Sequence, residues 1–260
     1  MARPILAVAG IAVIGAGLAI GFGQWGFGFG STVSRDATLT QQIRSVKLEN
    51  GSGDVRIRTS PGAARVHQTL RYRLSGEPND AYRVDGDQLV IVDCGSNCSA
   101  DLDLTVPAGI PVTGASDSGS LDVAGVGSVD VTAESGSATV RDVAGPVKLR
   151  MDSGRAELHN VGEVQVHNQS GRTVADGVRG PVDVSASSGR IELALAQPAN
   201  VRATADSGRV EVTVPPSGSY QVTGASDGGR RTIDVPQHSG PDTKTLDLSS
   251  GSGGVTVKAA

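Results

Sequence analysis

The sequence predicts an all-β protein, a parallel β-helix with coils of about 17 to 18 residues behind one amino-terminal membrane helix. Three observations predict it. Ser-Gly or a close variant recurs at that interval from Asp117 onward, apolar and polar residues alternate on both sides of each recurrence, and no stretch after residue 31 carries helical spacing. A single uncharged run at residues 4–23 stands apart from this pattern.

That run, PILAVAGIAVIGAGLAIGFG, follows the lone cation Arg3. It matches the roughly 20 residues a helix needs to cross a bilayer and exceeds the roughly 7 to 15 of a signal-peptide apolar region. No Ala-x-Ala site follows before Arg35, so an uncleaved signal anchor is expected, with a cleaved signal peptide as the alternative. Every Phe (Phe22, Phe27, Phe29) and the only Trp, Trp25, lie just beyond or at the end of this run, where amphipathic rings prefer the headgroup level. With Arg3 on the cytoplasmic side, the chain from about residue 31 onward is expected outside the cytoplasm, at the cell membrane or secreted if the run is removed. Gly17 and Gly21 form a small-xxx-small pair that could bring two helices together. The expected organisation is an anchor at 1–30, a linker at 31–42 and β structure over 43–260.

Within the β region, residues 43–116 read as irregular strands: SVKLENGSGDVRIRT, ARVHQTLRYRL, DQLVIVDC and ADLDLTVPAGIPV. GSGDVRIRT at 51–59 echoes GSGGVTVKA at 251–259, which makes this region the first part of the same structure. Cys94 and Cys98 flank Gly-Ser-Asn between two alternating runs, so they would face each other across the neck of a hairpin and form a disulfide, in keeping with an oxidising compartment. A metal site is the competing reading, resting on one C-x-x-x-C and the scattered His67, His159, His167 and His238.

The regular coils occupy 117–260. In DSGRAELHNVGEVQVHN, Ala156 and Leu158 alternate with Arg155 and Glu157, and Val164 and Val166 alternate with Gln165 and His167. A unit of this length has no room for a helix besides two strands and two turns, so each is one coil stacked on the next at about 4.8 Å. The composition suits a thin interior. Hydrophobic residues make up 38% of the 260, aromatic residues only 3%, and 36 residues are Gly, so Val129 and Val131, Val147 and Leu149, Val164 and Val166, and Val182 and Val184 are expected to form inward ladders. Ser-Gly marks the corner, where Gly supplies a backbone geometry other residues avoid.

The succession of Ser-Gly units from Ser118 to Val257, LTVPAGIPV at 104–112 and GSGDVRI at 51–57 resembles the bacterial putative-adhesin β-strand-repeat family, a domain of unknown function often found behind one membrane helix. The resemblance covers about residues 43–260. It implies a β-helical cell-envelope protein and supplies no activity or catalytic residues.

Candidate sites lie at the corners. Asp-Ser-Gly at Asp117, Asp152 and Asp206 has the form of an aspartic-protease turn, but turns stacked in one column cannot face each other across a cleft. Calcium in the corners is a further alternative, because a calcium-binding β-roll also has coils of about 18 residues; here the acid precedes the corner and drifts to Gln169 and Ser187. The residue after the corner Gly is the most distinctive column: Ser120, Ser137, then Arg155, Arg172, Arg190, Arg209 and Arg230. Five stacked guanidinium groups would suit the phosphates or carboxylates of an anionic envelope polymer, or a protein partner. The competing role is an ion-pair ladder with Glu157, Glu192 and Glu211 on the same outward face.

The expected function is therefore a non-enzymatic adhesin-like, scaffold or envelope-interaction protein with no cofactor. A polysaccharide-active β-helix enzyme is the alternative, disfavoured because the corners are short and Tyr72, Tyr82 and Tyr220 are the only aromatics beyond the membrane end. A net charge of −4 carries no basic field for nucleic acid. Self-association through an exposed edge of the last coil, ending at Ala260, is also expected.

Overall fold

The structure, a computed structural model, describes residues 30–73 and 76–260. The expected membrane helix and its aromatic belt lie outside the described residues. The described chain forms strands throughout. At the amino-terminal end are β1 (Ser31–Thr38), β2 (Ser45–Asn50), β3 (Val55–Thr59), β4 (Arg65–Tyr72), β5 (Tyr82–Asp85), β6 (Gln88–Val92) and β7 (Cys98–Val106). The middle holds β8 (Pro111–Ser116), β9 (Ser120–Ala124), β10 (Ser128–Ala133), β11 (Ser137–Val143), β12 (Val147–Val161), β13 (Val164–Val178), β14 (Val182–Leu195) and β15 (Val201–Val214). The chain closes with β16 (Tyr220–Thr223), β17 (Arg231–Asp234), β18 (Lys244–Ser252) and β19 (Val255–Ala259).

Each coil has two strand segments joined at a corner. In β12 to β15 the strand ladder runs on through the corner, so one long strand makes a whole coil. All pairings between coils are parallel, and the inward ladders form as the alternation requires. Val129, Val147, Val164, Val182 and Val201 stand in register, as do Val131, Leu149, Val166, Val184 and Ala203, and every one is buried. Small β-branched side chains stacked on like neighbours fill the narrow interior without an aromatic anchor.

Coil order in space departs from coil order in the chain at both ends. The pair β2–β3 lies between β6–β7 and β8–β9, although β6–β7 follows it in sequence. At the other end β18–β19 lies directly on β15, and β16–β17 packs on its far side. Burial accounts for the choice. Leu246, Leu248, Val255 and Val257 are fully enclosed, whereas Val222 and Ile233 of β16–β17 are only partly buried. The more apolar pair gains most from neighbours on both sides, so it takes the inner slot. Pro215 and Pro216, which offer no backbone N–H, begin the connection that carries the chain past that slot.

Two expectations are corrected here. Residues 31–42 are not simply a linker: β1 pairs antiparallel with β4, which pairs antiparallel with β7, so the solenoid's amino-terminal end is covered, with β5 folded back on β6. The alternation in STVSRDAT was there to be seen, but its pattern of half-buried and exposed residues is that of an edge strand. The strand pair nearest Ala260 is not the terminal coil either. That place belongs to β16–β17, so the coil ending at Ala260 is enclosed on both sides.

Candidate functional site: the corner ridge

The corners of successive coils stack into one ridge with a spine of glycine. Gly119, Gly136, Gly154, Gly171, Gly189 and Gly208 all have φ between +114° and +146°. A Cβ placed on Gly171 would lie 1.9 Å from the carbonyl oxygen of Gly154, and one on Gly208 would lie 1.7 Å from that of Gly189. Glycine is thus required twice over, by the backbone angle and by the close approach of the neighbouring corner. The spine also records the exchanged order: Gly53 abuts Gly119, Gly253 abuts Gly208, and Gly229 abuts Gly253.

Cys94 and Cys98 form the disulfide, with Cα atoms 5.7 Å apart. Its setting differs from the hairpin neck expected. β6 pairs with β2 and β7 with β3, so the two strands are successive legs of one coil and the disulfide staples that coil's corner. It stands at the place where other coils carry Ser-Gly.

The residue after the corner Gly points outward from the ridge. Arg155, Arg172, Arg190 and Arg209 are brought into register in four consecutive coils, preceded by Ser120 and Ser137. Arg230 is not the fifth step. The inserted coil places Gly254 beside Arg209, and Arg230 lies beyond Gly254, its carbonyl accepting from Val255 N–H at 3.1 Å.

Much of this column is compensated by the row two residues further on. Arg155 Nη1 lies 3.4 Å from Glu157 Oε1, and Arg190 Nη1 lies 3.2 Å from Glu192 Oε1. In the coil between them that row holds Val174, so Arg172 reaches across to Glu192 Oε2 at 2.5 Å. Partial burial pushes the Glu192 carboxyl up, but hydrogen bonds from Arg172 and Arg190 outweigh it and hold it below the usual carboxylate range. Glu211 is taken by Lys258 at 2.7 Å, which holds that ammonium above its ordinary value. Further along the same face Asp122 receives Arg56, Arg58 and Arg141. The column is therefore an ion-pair ladder through Arg155, Arg172 and Arg190 with a less compensated end at Arg209.

Among the described residues no three His, Cys, Asp or Glu side chains gather as a metal-ligating group. His159 pairs with Asp176 at 2.7 Å and His67 with Asp36 at 2.8 Å, each across neighbouring strands. The depressions on the outer face, such as that lined by Gln165, Asp183, Arg202 and Asp247, are shallow features between strand rows.

Comparison with known proteins agrees with this geometry. No curated protein matches the chain. A putative adhesin of known structure from Parabacteroides distasonis is 17% identical, covers 87% of this chain and 97% of its own, and superposes with a TM-score of 0.56, which shows a shared fold. A putative adhesin from Bacteroides fragilis (14% identity, 88% and 97% coverage, TM-score 0.41) and a putative lipid binding protein from Parabacteroides distasonis (13%, 90% and 98%, 0.43) are more distant in shape. The model of the Toastrack family, DUF4097, matches residues 96–260, from the disulfide corner to the last strand. The all-β solenoid with its glycine-spined corners is thus a Toastrack domain, and the chain belongs to that adhesin-like family of unknown function.

Proposed function

We propose that the protein is held in the cell membrane by residues 4–23, carries its β-solenoid outside the cytoplasm, and acts as a non-enzymatic envelope-binding module. Its ligand is an anionic envelope polymer, met by the Arg-bearing side of the corner ridge. The observation that carries this reading is the register of Arg155, Arg172, Arg190 and Arg209, four guanidinium groups at one position of consecutive coils. Repetition at about 4.8 Å suits a linear polymer better than a compact small molecule, and Arg binds phosphate and carboxylate through paired N–H donors. The disulfide accords with an oxidising location, and the names of the structural neighbours accord with a binding role.

The test is binding of the full chain, kept in solution by a neutral detergent, to anionic and neutral glycopolymers at two salt concentrations. Binding to the anionic polymers alone, weakened by salt, is the expected result. Replacing Arg155, Arg172, Arg190 and Arg209 together by Gln should abolish it. Binding that survives this replacement would show the column to be structural only.

A further inference from the structure

The ion-pair ladder of the corner ridge comes apart at its carboxy-terminal end, and we infer that Arg209 and Arg230, standing on either side of Gly254, form a notch that binds a phosphate group. The inference rests on the envelope-binding reading above and locates its principal contact.

In the earlier coils an acidic residue in the adjacent row takes up the corner Arg, Glu157 for Arg155 and Glu192 for both Arg172 and Arg190. At Arg209 the equivalent residue is Glu211, which is diverted to Lys258 of the inserted strand β19. At Arg230 the equivalent residue is Thr232, which has no charge to offer. Arg209 and Arg230 accordingly make no ion pair among the described residues, and both side chains are exposed. The acids that precede their corners, Asp206 and Asp227, lie across Ser207-Gly208 and Gly228-Gly229 and pair with neither. Arg231, next in the chain, is spent inside the fold, donating to the carbonyls of Thr223, Gly224 and Leu248.

The coil between the two cations leaves them room. Its corner is Ser252-Gly253-Gly254, so no side chain projects from the column position that separates them. Two strand spacings put the Arg209 and Arg230 backbones about 10 Å apart, and each guanidinium need lean only about half that distance to meet over Gly254. Two converging guanidinium groups with no internal carboxylate match the oxygens of a phosphate monoester or diester. The notch exists only because β18–β19 is inserted between β15 and β16–β17; a chain-ordered stack would have set Arg209 directly beside Arg230.

The full chain titrated with inorganic phosphate and with a short glycerol-phosphate oligomer tests this. The R209Q/R230Q variant should bind the oligomer at least about tenfold more weakly, a larger loss than that of R155Q/R172Q/R190Q, which removes only the ridge contacts flanking the notch. Thr232→Glu, an exposed substitution that returns a carboxylate to Arg230, should also weaken binding. Competition by inorganic phosphate would identify the lone phosphate group as the recognised unit, and its absence would assign the notch to the polymer. If the triple variant loses as much as the double, the notch is overturned while anion binding stands. If the unaltered protein binds neither probe, the envelope-binding reading falls as well.

Discussion

The middle of the solenoid and its two ends are built from the same coil by different rules. From β12 to β15 the chain adds one coil at a time, each corner against the one made just before it. At the carboxy-terminal end the chain skips a slot and returns to fill it, so that β18–β19 is enclosed by earlier coils, and at the amino-terminal end β2–β3 is enclosed by later coils added on both its sides. Both enclosed segments have their inward Val, Leu and Ile side chains fully buried, and the strands left outermost, β1, β5, β16 and β17, are mostly half-buried or exposed. A solenoid exposes a row of unpaired backbone groups at each end. Placing the weaker strands there gives each better strand two neighbours instead of one.

The sharpest test of this contrast is an alanine in the glycine spine. Gly171→Ala sets a Cβ 1.9 Å from the Gly154 carbonyl oxygen at a φ of +136°, with coils locked on both sides. A loss on the order of 4 kcal/mol is expected from denaturant unfolding. Gly229→Ala meets Gly253 at 2.0 Å, but the terminal coil can move outward, so about 1 kcal/mol is expected. Equal losses at the two sites would mean that the end is as rigid as the middle.

A cavity in the inserted coil should separate the ends from the middle in another way. Leu248→Ala in β18 removes a fully buried side chain at an expected cost of about 3 kcal/mol. Because β16 pairs with β18, and β17 with β19, hydrogen exchange should quicken in residues 220–234 as much as in 244–259. Exchange in residues 147–178 should stay as it was. Protection retained in β16–β17 would contradict their dependence on the inserted coil.

The smallest effect is expected from the ladder itself. Glu192→Gln removes the carboxylate shared by Arg172 and Arg190, and at a partly exposed site this should cost less than about 1 kcal/mol at neutral pH. The Glu192 carboxyl is held below its ordinary 4.5, so its contribution is complete above that value and is lost as the pH falls through the lowered folded value. Unaltered protein and variant should therefore converge in stability once the pH falls below that lowered folded value. A difference that persists in acid would place the effect in packing rather than charge.

The legible part of the fold was the part with local causes. Ser-Gly corners, the Val and Leu ladders and the register of Arg155 with Arg172, Arg190 and Arg209 follow from coil lengths of nearly constant size. Other features needed the assembled molecule. STVSRDAT at 31–38 alternates like a strand, but its partner in β4 is remote in sequence and its faces are too polar to announce burial. The Cys94–Cys98 pair was correctly joined yet wrongly set, because a hairpin neck and a coil corner share the same turn residues. Laid out along the chain, Arg230 looked like the next step after Arg209; in space Gly254 intervenes.

Local sequence therefore settled where the chain bends, which side chains face inward, and which charges repeat along the ridge. Those properties depend on period-two alternation and on glycine's backbone freedom, which act within one coil. Only the folded molecule decided which coil lies beside which at the two ends. Any alternating strand pair can stack on any other, and the choice turns on a comparison of burial between segments far apart in the chain. That choice draws Glu211 to Lys258, sets Gly254 between Arg209 and Arg230, and leaves those two cations without a carboxylate in the adjacent row.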